Sequence, residues 1–265
     1  MKDYYKNKIV WITGASSGIG EALVIELNKV GAKLIISSRN REALYKVKSK
    51  CQKIIDVHVL PLDLDQVESL SDKTTDALKI FGRIDCIIHS GGMSQRASAI
   101  ETTLETSRRI MNVNYFGTVA ITNALLPKMI EINLGQIVVI SSLVGKFGLP
   151  KRSSYSASKH ALHGYFDSLR AEIYKSDIGI SIICPGFIKT NLSFNALIGT
   201  GERQNKMDDA QANGMLPEEC AKRILKAVAN KKQEVYIGGK EVYGVFLKRF
   251  FPFIFSKIIR KARVV

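Results

Sequence analysis

Apolar runs of strand length alternate with longer segments of helical period from residue 8 to about residue 237, and this alternation constrains the fold more than any other feature of the chain. Strands separated by helices cannot pair through short hairpins; they assemble as a parallel sheet whose crossovers lay helices over both faces. Strands are read at Lys8–Ile12, Lys33–Ser37, Ile54–Leu60, Asp85–His89, Gly135–Ser141, Gly179–Cys184 and Glu234–Ile237, with helices at about 19–30, 40–51, 66–81, 102–130, 153–176 and 217–230. The last helix opens on Pro217 with Glu218 and Glu219 in its first turn, a favourable start for a helix dipole. The expected architecture is α/β, a doubly wound seven-stranded parallel sheet in a single domain. With 46% hydrophobic and 24% charged residues among 265, the chain can fill one such core, which excludes a disordered or fibrous protein. Residues 191–215 carry no clear period. In a compact domain a stretch of that length is a functional lid or a disordered segment, and its place directly after the sixth strand marks it as a substrate lid.

The formal charge is +15, and the excess is uneven. After Glu241 there is no acid, while Lys248, Arg249, Lys257, Arg260, Lys261 and Arg263 are all basic. Residues 241–265 are therefore set apart from residues 1–240 as a basic, aromatic extension. Its aromatic and aliphatic residues, Phe246 to Ile259, could form an amphipathic segment on an anionic membrane, interrupted at Pro252, or could cover a pocket or another subunit. No nucleic-acid motif or stacking series accompanies the charge, so nucleic acid is not an expected partner. Cys51, Cys86, Cys184 and Cys220 form neither a CxxC pair nor a metal-ligand cluster. They read as buried free thiols in a reducing compartment, with no metal site. The start of the chain is too short in apolar residues for a signal-peptide core, and no run approaches a membrane span. The expectation is a cytoplasmic protein, with association at a membrane surface left open.

Two motifs carry chemistry. The first strand runs into Thr13-Gly14-Ala15-Ser16-Ser17-Gly18-Ile19-Gly20 and then a helix. Glycines there allow a tight turn and close approach of backbone to a pyrophosphate, and the helix N-terminus offers unpaired N–H groups to the anion. Further along, Tyr155 and Lys159 lie four apart on one helix face. A phenol titrates at about 10, too high for proton exchange near neutrality, and a neighbouring ammonium is expected to lower it. Tyr155 is then a usable general acid.

Taken together, TGxxxGxG after the first strand and YxxxK at 155–159 resemble the short-chain dehydrogenase/reductase family, over nearly the whole chain. The resemblance implies a Rossmann-type fold and hydride transfer between a nicotinamide cofactor and a carbonyl or secondary alcohol. Gly14, Ser16, Ser17, Gly18, Ile19 and Gly20 would hold the pyrophosphate. The second strand ends in Ser38-Arg39-Asn40, with no carboxylate to repel a 2′-phosphate and a guanidinium to grip it, so NADP(H) is favoured over NAD(H). By the same resemblance Asp63 and Leu64 lie near the adenine, and Pro185, Gly186, Ile188 and Thr190 cover the nicotinamide end. Ser90 and Gly91 belong to His89-Ser90-Gly91-Gly92, which stands where the family usually shows NNAG. His89 itself reads as a hydrogen-bonded residue at a strand end.

The catalytic set implied is Asn114, Ser142, Tyr155 and Lys159. Tyr155 is the general acid in reduction and the base in oxidation. Ser142, 13 residues before it, hydrogen-bonds the reacting oxygen. Lys159 also bonds the nicotinamide ribose, and Asn114, in a VNxxG-like segment, holds a water that relays protons to Lys159. Asn114, Tyr155 and Lys159 thus count as cofactor contacts as well. Met93, Ser94, Gln95, Leu143, Val144, Phe147, Phe187 and the lid should line a partly apolar substrate pocket suited to a lipophilic carbonyl or alcohol. Relatives that associate through C-terminal elements imply a homodimer or homotetramer. A cofactor-binding regulatory protein without turnover is the alternative that the HSGG departure raises.

Overall fold

The computed structural model describes residues 2–262, so Arg263, the last of the basic tail residues, lies outside the described residues. Seven strands, β1 (Ile9–Thr13), β2 (Lys33–Ser37), β3 (Val57–Val59), β4 (Cys86–His89), β5 (Gly135–Ile140), β6 (Ile178–Pro185) and β7 (Glu234–Ile237), form one sheet. Its order is β3-β2-β1-β4-β5-β6-β7 and every pairing is parallel. The chain therefore winds outward one way from β1 and the other way from β4. The crevice beyond the carboxyl ends of those two strands is the topological switch point where such sheets bind ligands.

The helices are α1 (Lys2–Tyr5), α2 (Gly18–Lys29), α3 (Arg41–Ser49), α4 (Leu70–Phe81), α5 (Leu104–Met111), α6 (Gly117–Glu131), α7 (Ser153–Glu172), α8 (Asp209–Ala212), α9 (Pro217–Ala229), α10 (Tyr243–Phe250) and α11 (Pro252–Ile259). Side chains alternate across the sheet. Trp11, Ile35, Ile87, Ile137 and Ile182 enter one core. Val10, Ile12, Leu34, Ile36, Ile88 and Ile183 enter the other, which packs α2, α3 and α9 with Tyr5 of α1. Period-two alternation with both faces buried is what a sheet wound on both sides requires.

Two elements depart most from the expected boundaries. The third strand was expected over Ile54–Leu60 but is Val57–Val59, after a 3₁₀ turn at Ile54–Asp56. It is an edge strand, and Ile55 is 93% exposed, so no sheet face draws the preceding residues in. The single helix expected over 102–130 is α5, a π turn at Asn112–Phe116, and α6. The wide turn admits extra backbone without breaking the helix and sets Asn114 inward, 1% exposed. Residues 191–215 are ordered. Leu197 N donates to Ser94 O at 2.9 Å and its carbonyl accepts Arg96 N at 2.8 Å, strapping this segment to the loop after β4.

The tail is two helices, interrupted at Pro252 as the sequence reading expected. Pro252 starts α11, where its missing N–H is harmless, and the chain bends at Phe251. Val245 and Phe255 join the core, the Phe255 and Phe147 ring centroids lying 5.2 Å apart. Burying a side chain of that size contributes about 1.5–3 kcal/mol.

Candidate active site

Two cavities open beyond the carboxyl ends of the central strands, and both include Ser142 and Tyr155 in their walls. The first, about 730 Å³, runs along the glycine turn. It is lined by Gly14, Ser16 to Gly20, Ser38 and Arg39, Asp63 and Leu64, Ser90 and Gly91, Tyr155 and Lys159, and Pro185, Gly186, Ile188 and Thr190. These are the sequence-predicted cofactor contacts, save one: Asn114 stands behind the wall.

The turn itself is built by close packing. Gly14 has φ +66, and a Cβ there would lie 2.5 Å from both Cα and N of Gly91. The β1 and β4 turns therefore touch backbone to backbone, which explains why HSGG keeps its glycines although it lacks the asparagines. Ala15 N donates to Ser37 O at 3.1 Å, tying the turn to β2. The first turn of α2, with Ser17 extended at its N-cap, then presents its N–H groups to the cavity. This tight, backbone-lined cradle suits a pyrophosphate. At its far end Arg39 is half exposed, its Nε 4.0 Å from Asp63 Oδ1. An exposed pair of that length is worth about 0–1 kcal/mol, so the guanidinium can turn to a better anion.

The reacting groups come from β5 and α7. Ser142 follows β5 and caps a 3₁₀ turn; its Oγ donates to Pro185 O at 3.3 Å and accepts Val144 N at 3.4 Å. Tyr155 sits in the first turn of α7, buried, and shares the walls of both cavities with Ser142. Burial pushes the phenol above its usual range, while Ser142, then Arg152 and Arg96, oppose that rise. Here the sequence reading needs correction. Lys159 was expected to lower the phenol, but its Nζ donates to Ile140 O at 2.8 Å and lies 5.8 Å from the Tyr155 ring centroid. Arg152 and Arg96 are the cations that oppose the rise of the phenol. Burial brings Lys159 itself down to about 8.

The side chain of Asn114 bridges the loop after β4 and α7. Its Oδ1 accepts Met93 N at 2.8 Å, and its Nδ2 donates to Met93 O and Ser158 Oγ, both at 2.9 Å. It pins the loop after β4 to α7. A Cβ on Gly92 would lie 3.2 Å from Asn114 Oδ1 and 3.5 Å from Lys159 Nζ, so the glycine leaves a gap between the two. His89 is buried, bonded to Thr122 Oγ1 at 3.0 Å, and driven down to about 3 by burial, which keeps it neutral.

The second cavity, about 650 Å³, continues from Tyr155 and Ser142 away from the glycine turn. Ser94, Leu143, Val144, Phe147 and Phe187 line it as expected, and Leu192 and Gln211 reach it from the 191–215 segment. The tail supplies the roof: Tyr243, Phe246, Leu247, Phe250, Phe251 and Phe255 border it. Two expected lining residues lie elsewhere. Met93 borders the first cavity. Gln95 is fully buried, and its Oε1 accepts Ser154 N at 2.8 Å and Tyr155 N at 3.4 Å. A side-chain cap on the first turn of α7 is a positioning role, because it fixes the backbone that carries Tyr155.

Sequence reasoning missed a buried ionic cluster beside the phenol. Asp208 Oδ2 accepts hydrogen bonds from Arg96 Nε at 2.8 Å and Arg152 Nη2 at 3.1 Å, and Arg96 Nη2 lies 2.6 Å from it as an ion-pair contact. The three side chains are 1%, 1% and 7% exposed for Asp208, Arg96 and Arg152. Beneath the site, His163 joins Ser141 Oγ at 3.1 Å and Glu234 Oε2 at 3.4 Å. Although burial alone would raise it, hydrogen bonds from His163, Lys146 and Tyr236 hold Glu234 at about 2.

A family model described as short chain dehydrogenase matches residues 8–197. A Dehydrogenase/reductase SDR family protein 7-like from Anopheles gambiae is 42% identical over 267 residues, covering 97% of this chain and 84% of that protein. The fold superposes with a TM-score of 0.82 and 19% identity on a Burkholderia phymatum short chain dehydrogenase/reductase in complex with NAD, over 99% of this chain and 98% of that one. A Burkholderia cenocepacia short chain dehydrogenase in complex with NADP gives 0.80 at 23% identity, over 97% and 99%.

Proposed function

The chain belongs to the short-chain dehydrogenase/reductase family, and from that premise we propose that it is an NADP(H)-dependent oxidoreductase acting on a lipophilic carbonyl or secondary alcohol. The observation that carries the proposal is the junction of a backbone-lined cleft and an apolar cavity at one pair of hydroxyls, Tyr155 and Ser142. A nicotinamide cofactor fits the first cavity, where the α2 amides would hold its pyrophosphate and Arg39 its 2′-phosphate. When bound, it supplies or accepts the hydride.

The protein's part is proton transfer and positioning. In reduction the Tyr155 hydroxyl gives its proton to the carbonyl oxygen, and Ser142 Oγ donates a hydrogen bond to the same oxygen as charge develops there. The phenolate left behind is stabilised by Ser142, Arg152 and Arg96. In oxidation the phenolate takes the proton back. Lys159, held at about 8, can exchange protons close to neutrality and would hold the nicotinamide ribose. Asn114 and Gln95 keep the loop and helix in register.

The roofing helices also face outward. Phe246, Phe250, Phe251, Phe253, Ile254 and Ile258 are exposed, 48–78%, among basic residues. They form a surface for peripheral contact with an anionic membrane, from which a lipophilic substrate could enter the cavity they border. Four buried, free thiols fit a cytoplasmic protein at such a surface, acting as a homodimer or homotetramer. No described helix is long and apolar enough to cross a membrane. The regulator alternative is not favoured, because the glycine packing that HSGG must provide is intact. A side-by-side fluorescence titration with NADPH and NADH tests the reading. Tighter NADPH binding supports it, tighter NADH binding overturns the Arg39 assignment, and binding of neither overturns the oxidoreductase.

A further inference from the structure

Beneath the active site lies a line of polar side chains that the chemistry at Tyr155 leaves unused. Ser141, directly after β5, and His163, on α7, are both buried, and Ser141 Oγ stands 3.1 Å from His163 Nε2. On the other side of the ring, Nδ1 faces Glu234 Oε2 at 3.4 Å. Glu234 opens β7; its side chain is 29% exposed and is held by Lys146 Nζ at 2.6 Å and by the Tyr236 hydroxyl. At its inner end the line meets the first cavity, which Ser141 borders together with Lys159. It therefore runs from the cofactor cavity, past the core of the sheet, to the surface.

Each link suits proton transfer. A hydroxyl accepts and donates at one oxygen, and an imidazole takes a proton at one nitrogen and releases one at the other. Glu234, which its hydrogen bonds hold at about 2 against the effect of burial, is ionised; it attracts Nδ1–H and leaves Nε2 to accept from Ser141. A Cβ on Gly145 would come within 2.6 Å of Ser141 Oγ and 3.0 Å of His163 Nε2, so the glycine keeps the contact between them open. Cys184 Sγ lies 3.7 Å from the same Nε2, but burial pushes its thiol up, and a protonated thiol does not compete as a base. Lys159 stands four residues before His163 on α7, and its Nζ donates to the carbonyl of Ile140, the neighbour of Ser141. Tyr155 and Lys159 are each 5% exposed, yet every turnover must move one proton between them and water. A buried acid of this kind needs a route to the surface.

We propose that Ser141, His163 and Glu234 form a proton path between the Lys159 corner of the cofactor cavity and solvent at the Glu234–Lys146 edge. In oxidation, the proton that Tyr155 takes from the alcohol passes to Lys159 and, through water in the cavity, to Ser141 Oγ as the Ser141 hydroxyl proton moves to His163 Nε2. The imidazolium so formed releases its Nδ1 proton to water at Glu234. Reduction runs the same steps backward, one proton entering for each one delivered to the carbonyl oxygen. The inference goes beyond the oxidoreductase reading and rests on it for the proton that is carried.

The test is chemical rescue. Oxidation of NADPH by the full-length protein is followed with acetophenone, benzil and octanophenone, and the ketone that the wild type reduces fastest is used throughout. His163→Ala should lower kcat roughly tenfold or more, with NADPH affinity within twofold of wild type, and imidazole added to the assay should restore most of the loss. Pyrazole, which has the same shape but is not protonated near neutrality, should restore none of it. An unchanged kcat overturns the path; so does rescue by both compounds alike, or by neither, because His163 then serves packing alone. Glu234→Gln keeps the ring and removes only the anion beside Nδ1, so the comparison stands even if His163→Ala does not fold. Its kcat should fall several-fold and rise again with imidazole; a kcat equal to that of the wild type, or indifferent to imidazole, overturns the proposal. Failure of the oxidoreductase reading appears separately, as reduction of none of the three ketones by the wild type, and the path falls with it.

Discussion

Replacing Gly14 with alanine perturbs the contact on which the cofactor cleft is built, and the structure sets the size of the effect. The residue has φ +66, a left-handed conformation that costs a residue with a Cβ roughly 1–2 kcal/mol. The added Cβ would also meet Gly91 Cα and N at 2.5 Å, so the β1 and β4 turns must separate. Forced overpacking of this kind costs about 1–3 kcal/mol. The two contributions together come to roughly 2–5 kcal/mol, or a fall in melting temperature of about 5–15 °C for a chain near this size. Gly82 isolates the second contribution. It has φ +80 at the end of α4, but a Cβ there would meet nothing within 4 Å, so Gly82→Ala carries the backbone cost alone. Thermal melts of the wild type and both variants, followed by circular dichroism with and without NADPH, make the comparison. Gly14→Ala should melt several degrees below Gly82→Ala and lose most of the stabilisation by NADPH. A Gly14→Ala protein no less stable than Gly82→Ala would refute backbone contact between the two turns.

Three further outcomes follow from the same geometry. Arg39→Asp should shift the ratio of NADPH to NADH affinity at least tenfold toward NADH, since a carboxylate bonds the ribose 2′-OH and repels a 2′-phosphate; an unchanged ratio would mean another residue reads that group. Glu234 is held at about 2, below its ordinary 4.5, so its contribution to stability is complete above pH 4.5 and lost as pH falls toward 2. The melting-temperature difference between wild type and Glu234→Gln should therefore shrink across that window, and a flat difference would contradict the hydrogen bonds from His163, Lys146 and Tyr236. Phe250→Glu with Phe253→Glu should weaken sedimentation with anionic liposomes several-fold without altering the melt, because both rings are exposed; unchanged sedimentation would remove the tail helices from any membrane role.

The sequence carried the sheet, the cradle and the Ser142–Tyr155–Lys159 spacing because each depends on local pattern: burial on both faces, glycine in a turn, i and i+4 on one helix. What it hid depends on register or on distant partners. One extra residue in the π turn at Asn112–Phe116 leaves the hydrophobic period of α5 and α6 nearly unchanged, so the segment reads as one helix. Gln95 looks like a pocket residue from its place after β4, but it caps a helix 59 positions on. Arg96 and Asp208 are 112 residues apart, and only the folded 191–215 segment brings them together. Lys159 was placed on the right face, yet its direction is set by an acceptor, the Ile140 carbonyl, that spacing on α7 does not reveal. The tail shows the same limit. Composition marks it as basic and aromatic, whereas its inward side is fixed by Phe255 meeting Phe147.

The central claim is that Tyr155 delivers the proton at the junction of the two cavities. Tyr155→Phe keeps the ring and its packing and removes only the hydroxyl. With a lipophilic ketone that the wild type reduces, kcat should fall by about 10²–10⁴-fold, while the affinity for NADPH, measured on the same sample by fluorescence titration, stays within twofold. A variant that binds NADPH and turns over at the wild-type rate would contradict the assignment.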